Sequence, residues 1–243
     1  MDAAEFLKVW RGKRVRRKIA AMKAAAITSR ENGTANKWMR VLGIDPAAAG
    51  PTGYGIVESN GRQCRMLHYG ALKIAAKKNR ECEGAALQEV HTLLCRLIQD
   101  FAPDVMAVES IFSALNVRTA LRLAEVRGVV LLAAAQHGVE VHSYAPREVK
   151  ATIAGHGHAD KRQMQIMVRA ILSMSATPEP ADAADALAVA LCHLQTEQAR
   201  RRFGLPAEKD LARRRSFMAV GNLERAAGAG RLSRATALDR GAS

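Results

Sequence analysis

Four carboxylates stand at the ends of expected structural elements. Asp45 closes Val41-Leu42-Gly43-Ile44, Glu109 closes Val105 to Val108, and Asp182 and Asp185 lie three apart in Ala-Asp-Ala-Ala-Asp-Ala-Leu-Ala. Residues three apart share one face of a helix. Each acid has an ordinary explanation: Asp45 can cap a loop through its own backbone, Glu109 can be a strand-end surface acid, and Asp182 can complement a helix dipole. The set is harder to explain that way. No basic residue stands between Pro180 and Leu191, and neighbouring like charges on a helix face cost about 0.2–0.5 kcal/mol. A divalent cation would offset that repulsion. Oxygen donors without a His/Cys cluster favour Mg²⁺ or Mn²⁺. Two such ions suit in-line phosphodiester hydrolysis, one activating the attacking water and the other stabilising the leaving oxygen.

The elements that must carry these acids follow from the apolar pattern. A strand over Val41–Ile44 leads through a Pro/Ala/Gly-rich loop, Pro46 to Thr52, into a second strand over Tyr54–Glu58. Asn60-Gly61 is a hairpin signal, and a third strand runs from about Arg65 to Ile74. Helical spacing of Leu87, Val90, Leu94, Leu97 and Ile98 predicts a helix over 81–100, ended by Pro103. Val105–Val108 is a buried strand. A helix capped by Asn116 or Thr119 runs to about His137, with Gly138 past its end. It is apolar nearly all round from Val126 to Ala135, so it should be buried on more than one side. A last strand over Glu140–Tyr144 is followed by helices at 146–153, 161–174 and 180–196, with Pro180 in the first turn of the last. A meander and then alternating helix and strand predict an α/β protein with a mixed sheet and helices packed on it.

The charge lies at the ends. Of a net +14, residues 1–38 hold ten Lys/Arg against three Asp/Glu, and residues 196–243 eleven against five. The core, 39–195, is nearly neutral, with sixteen against fifteen. Such a balance predicts a polyanionic partner, met in part by the basic run Arg11 to Lys18. Residues 1–38 read as a solvated arm, a nucleic-acid tail or a transit peptide; no apolar segment follows the charges as a secretory signal requires. The longest uncharged apolar stretch, Val129 to Val139, is too short to cross a bilayer. Cys64, Cys82, Cys95 and Cys192 form no C-x-x-C pair, which predicts neither a zinc site nor a disulfide framework and fits a cytoplasmic protein.

The ordered motifs Arg40-Val-Leu-Gly-Ile-Asp-Pro46, Thr52-Gly-Tyr-Gly55, Ala107-Val-Glu109 with Phe112 and Asn116, Arg127-Gly128, Tyr144-Ala-Pro-Arg-Glu-Val-Lys150, Gly157-His-Ala-Asp-Lys161 and Ala181-Asp-Ala-Ala-Asp-Ala-Leu187 resemble the RuvC family of Holliday junction resolvases. The resemblance spans Met39 to about Leu194. It implies a ribonuclease H-like mixed five-stranded sheet flanked by helices, a homodimer, and two symmetric nicks across four-way junction DNA in homologous recombination and DNA repair. It further implies Asp45, Glu109, Asp182 and Asp185 as catalytic and metal-holding carboxylates, with two Mg²⁺ per subunit or Mn²⁺ in their place. Lys150 and Lys161 match the family's DNA-contacting lysines, and Phe112 its junction-contacting aromatic. Work alongside the RuvA–RuvB branch-migration complex is part of the same expectation.

Other features of the residues bear on this. Lys150 and Lys161 flank a Gly/His loop, Gly155 to His158, that would let a phosphate backbone approach; plain surface lysines have the same look. Phe112 suits base stacking or a core. His156 and His158 suit a phosphate neighbour better than a metal. The apolar helix 117–137 is the expected dimer seam, with Gly128 allowing close approach. Ala47 stands where the family has glycine, in a loop a residue longer than usual, so a turn needing positive φ would have to shift. Residues 1–38 are expected to be dispensable, with Met39 as the natural start. Rival functions are another nuclease of the same fold acting on RNA–DNA hybrids or other branched DNA, an actin-like nucleotide-binding protein, and a non-catalytic basic DNA-binding protein.

Overall fold

The computed structural model describes residues 38–47, 50–72, 84–110 and 116–206. Strands β1 (Met39–Asp45), β2 (Thr52–Ser59) and β3 (Cys64–Leu72) form the meander. Helix α1 (Ala85–Phe101), strand β4 (Val105–Glu109), helix α2 (Val117–Gln136) and strand β5 (Glu140–Tyr144) follow. Helices α3 (Pro146–Ala154), α4 (Lys161–Ile171) and α5 (Ala181–Arg202) complete the described elements. The sheet order is β3-β2-β1-β4-β5, antiparallel across β1, β2 and β3 and parallel across β1, β4 and β5. Trp38, on the extension side of the expected boundary, lies beneath the Arg65 guanidinium at 4.3 Å. Residues 1–37 and Phe112 fall outside the described residues.

The period of two along each strand divides the core. Leu42, Ile44, Tyr54, Ile56, Met106 and Val108 face one way and pack with the apolar stripe of α1 (Val90, Leu94, Leu97) and with Val126 and Val130 of α2. Val41, Val57, Ala107 and Tyr144 face the other way, against α3, α4 and α5. Asp45 follows Val41 by four and Glu109 follows Ala107 by two, so both acids point to the α5 side.

At the far end of β1 a buried polar clamp sets its start. Arg40 donates from Nε and Nη2 to Glu58 at 3.1 and 2.9 Å and from Nη1 to the Phe101 carbonyl, while its backbone N–H donates to Asp104 at 2.9 Å. Such a pair is retained only because every buried polar atom finds a partner; removing one side strands a charge.

Two boundaries and one burial pattern differ from what the apolar spacing predicts. Helix α4 stops at Ile171 because Ser173 adopts a left-handed φ of 49°. Helix α5 continues to Arg202, where three arginines complement its C-terminal dipole. Helix α2 buries one stripe only: Val117, Leu121 and Leu132 remain 76%, 62% and 52% exposed. Its all-round apolarity therefore does not reflect burial within this chain, and a side chain at Gly128 would meet nothing within 4 Å. Among the described residues, those up to Thr196 belong to one unit and those from Glu197 to another. No described helix is long and apolar enough to cross a membrane.

Candidate active site

Parallel pairing of Ile44 with Val108 sets the next residues, Asp45 and Glu109, side by side at the carboxyl edge of the sheet. Antiparallel pairing sets Gly53 of β2 on the other side of Asp45. Across that surface lies α5, and glycines decide how closely. A β-carbon on Gly53 would fall 2.0 Å from the carbonyl oxygen of Asp182; one on Gly43 would fall 2.1 Å from that of Ala186, and one on Gly55 2.7 Å from the Leu187 side chain. The facing helix is small-residue-rich, with Ala183, Ala186 and Ala190 fully buried. Its backbone rests directly on the backbone of β1 and β2. That contact lowers Asp182 and Asp185 onto Asp45, and one carboxylate oxygen from each of the three lies within 4.8 Å of the others.

Glu109 joins by a hydrogen bond with Asp45. Burial, then the charge of Glu109 and its hydrogen bond, then Asp185 and Asp182, push the Asp45 carboxyl up to about 8. Burial also raises Glu109, against the pull of the Asp45 bond and of Lys150. Asp185 is raised by burial in spite of Lys161, whose Nζ lies 3.2 Å from Asp185 Oδ2. Without a cation the cluster relieves its own repulsion by holding protons. The donor set fits a hard divalent ion: clustered carboxylate oxygens, partly shielded from water, with no His or Cys among them.

The cleft beside these acids is lined by Glu109, Asp185, Lys150 and Lys161 over an apolar floor that includes Val149 and Met164. Helix α3 begins with Pro146, which fixes its first turn, and carries Lys150 on its cleft side. Asp160 caps α4 by accepting from Gln163 N at 2.8 Å, and Gln163 Oε1 accepts from Asp160 N at 3.0 Å, so Lys161 starts the helix in a fixed place. His156 and His158 are exposed, and no described metal-ligand cluster includes them. Ala47 is not among the described non-glycine residues with positive φ, Ala102 and Ser173, so Ala47 itself sits in ordinary backbone.

Two positioning features were not read from the sequence. The glycine shelf was visible as Gly43, Gly53 and Gly55, since glycine inside a strand marks close backbone approach. The other is a buried bond between Tyr144 Oη and His193 Nδ1 at 2.7 Å that ties α5 to β5. The Tyr144 carbonyl also accepts from Ser110 N and Oγ at 2.8 and 3.0 Å, holding the strand end beside Glu109. No local pattern pairs residues 49 apart.

A five-stranded mixed sheet of this order, with carboxylates converging from two parallel strand ends and a helix laid across them, defines a ribonuclease H-like fold with an acidic centre suited to divalent metal. The family described as crossover junction endodeoxyribonuclease RuvC matches residues 41–193, and the chain belongs to that family. A relative of that name from Chloroflexus aurantiacus is 47% identical over 167 residues, 69% of this chain and 99% of the relative. The solved structure of Thermus thermophilus RuvC in complex with Holliday junction substrate superposes with a TM-score of 0.62 at 35% identity, covering 66% of this chain and 96% of that one. The yeast mitochondrial Holliday junction resolvase Ydc2 shares the fold at a TM-score of 0.51 and 14% identity, covering 68% and 81%.

Proposed function

We propose that this protein resolves four-way DNA junctions by metal-dependent hydrolysis of phosphodiester bonds, cutting two strands symmetrically as a homodimer in recombination and repair. The observation that carries the proposal is the convergence of Asp45, Asp182 and Asp185 within 4.8 Å of one another, in a chain of the RuvC family.

Asp45, Asp182 and Asp185, with Glu109 against Asp45, are the residues that would hold Mg²⁺, two ions per subunit, or Mn²⁺ on the same oxygens. Bound ions would make water a nucleophile near neutral pH and neutralise charge on the leaving oxygen. The protein's own part is placement. The glycine shelf holds α5 against β1, and the Tyr144–His193 bond holds it against β5. Lys150 and Lys161 line the same cleft as Glu109 and Asp185, where a DNA backbone would meet positive charge beside the reacting phosphate. Phe112, three residues beyond Glu109, is assigned to the junction through the family resemblance. The exposed apolar face of α2, with Val117, Leu121 and Leu132, supports a subunit seam. The basic ends, 1–38 and 196–243, add sequence-independent attraction for DNA. Work with RuvA–RuvB belongs to the same reading.

One assay tests it. A labelled four-way junction, a matched duplex and an RNA–DNA hybrid are incubated with Mg²⁺ or with EDTA. Paired symmetric nicks in the junction alone, and only with Mg²⁺, are expected. Preferential cutting of the hybrid would assign the site to a different nuclease of this fold.

A further inference from the structure

We propose that Lys161 is a tethered counter-ion that exchanges partners: its ammonium holds the Asp185 carboxylate until a divalent cation arrives, then yields that oxygen and turns to a DNA phosphate. The proposal rests on the acidic cluster being a divalent-metal site.

The geometry sets up a competition. Lys161 Nζ lies 3.2 Å from Asp185 Oδ2, and Asp185 supplies one of the three oxygens that gather within 4.8 Å. An ammonium at hydrogen-bond distance from that carboxylate and a doubly charged ion on the same group repel each other. The lysine has room to leave. Its side chain is 56% exposed while that of Asp185 is 30% exposed, so more than half of the lysine side chain already faces solvent. The chemistry of the side chain suits a movable charge, being a compact ammonium on a flexible four-carbon stem.

Its place in the chain points the same way. Lys161 is the first residue of α4, directly after the cap Asp160. The positive end of a helix dipole disfavours a cation there. A lysine at that position carries a local cost, which the pair with Asp185 offsets. Lys150 lines the same cleft but makes no ion pair among the described residues, so pairing with an acid is not a general consequence of lining the cleft. Once displaced, the Lys161 ammonium loses its partner in the cleft between Glu109 and Asp185, where a phosphate is the natural replacement.

Exchange makes metal binding and phosphate binding assist each other, because each relieves what the other must displace. Two measurements test it on the full-length protein. The first is Mn²⁺ binding without DNA, read from the free-ion paramagnetic resonance signal, for the wild type, Lys161→Gln, Lys161→Arg and Asp45→Asn. Removing the competitor should tighten Mn²⁺ by about threefold, the size of a half-exposed ion pair, while Lys161→Arg should stay near the wild type. Unchanged or weaker Mn²⁺ binding by Lys161→Gln, with a normal melting curve, would show that the lysine orients Asp185 rather than competing for it, and would overturn the exchange. Equal Mn²⁺ binding by wild type and Asp45→Asn would instead remove the metal site itself. The second is the salt dependence of junction binding with and without Ca²⁺, scored only where the junction stays intact. The cation should steepen the log–log slope of the wild type by about one unit and leave that of Lys161→Gln unchanged. Equal changes in both proteins would mean that Lys161 does not move to phosphate.

Discussion

Replacing Gly53 by alanine tests whether backbone-to-backbone packing positions the acids. The added β-carbon would lie 2.0 Å from the Asp182 carbonyl oxygen and 2.5 Å from its carbonyl carbon. Neither is the tip of a flexible side chain. An ordinary carbon–oxygen contact is about 3.3 Å, so the start of α5 must rise from β2 by about 1 Å. Overpacking of this kind costs about 1–3 kcal/mol, or a fall of roughly 2–12 °C in melting temperature for a chain of this size. The effect on chemistry should be larger in proportion. Asp182 and Asp185 ride on the displaced helix while Asp45 and Glu109 stay on the sheet, and metal ligands tolerate only about 0.2 Å. A misplacement of about 1 Å costs on the order of 100-fold in rate. Single-turnover nicking of a four-way junction at saturating Mg²⁺, with a melt and a gel-shift titration on the same preparation, separates these effects. Expected are retained folding and junction binding, weakened Mg²⁺ dependence, and nicking down about 100-fold. Wild-type nicking with an unchanged Mg²⁺ midpoint would refute the claim that the shelf sets the site.

Asp45→Asn, Glu109→Gln and Asp185→Asn should each lower cleavage by about three orders of magnitude or more while gel-shift binding of the junction survives; Asp182→Asn should follow, less severely if its first-turn position serves mainly the helix dipole. In EDTA the pH dependence of stability has a definite sign. Because the Asp45 carboxyl rises from 3.8 to about 8 on folding, its contribution is full below 3.8 and is lost as pH rises through about 8. Melting temperature should therefore fall over that window, Asp45→Asn should flatten the fall, and Mg²⁺ should restore stability at the upper end; a pH-independent melt of the metal-free wild type would contradict the buried cluster. Leu121→Glu places charge on the exposed face of α2, and sedimentation should show a shift from dimer to monomer with the melt of the subunit little changed.

The carboxylates, the strands that end in them and the helix that carries two of them were legible in the sequence, because strand ends, helix caps and apolar periodicity are local properties. The ordered motifs also carried the family, and Asp45 and Glu109 lie side by side at one sheet edge with Asp182 and Asp185 brought in from a helix. Boundaries were less legible. The last turn expected of α4 is cut short by the left-handed φ of Ser173, and α5 runs past 196 because its arginines suit a helix end as well as a tail. All-round apolarity of α2 could not say what covers it, since composition is blind to whether the partner is the same chain; here only the stripe of Val126, Val130, Ala133 and Ala134 is buried. What only the tertiary structure decided is distance. Whether four acids separated by up to 140 residues meet depends on strand order, on the register of Ile44 with Val108, and on how low α5 can lie. That last quantity is set by three missing side chains, at Gly43, Gly53 and Gly55, and by one buried bond between Tyr144 and His193. Such long-range contacts leave no periodic trace in the chain, because they are properties of two surfaces brought together and not of either alone.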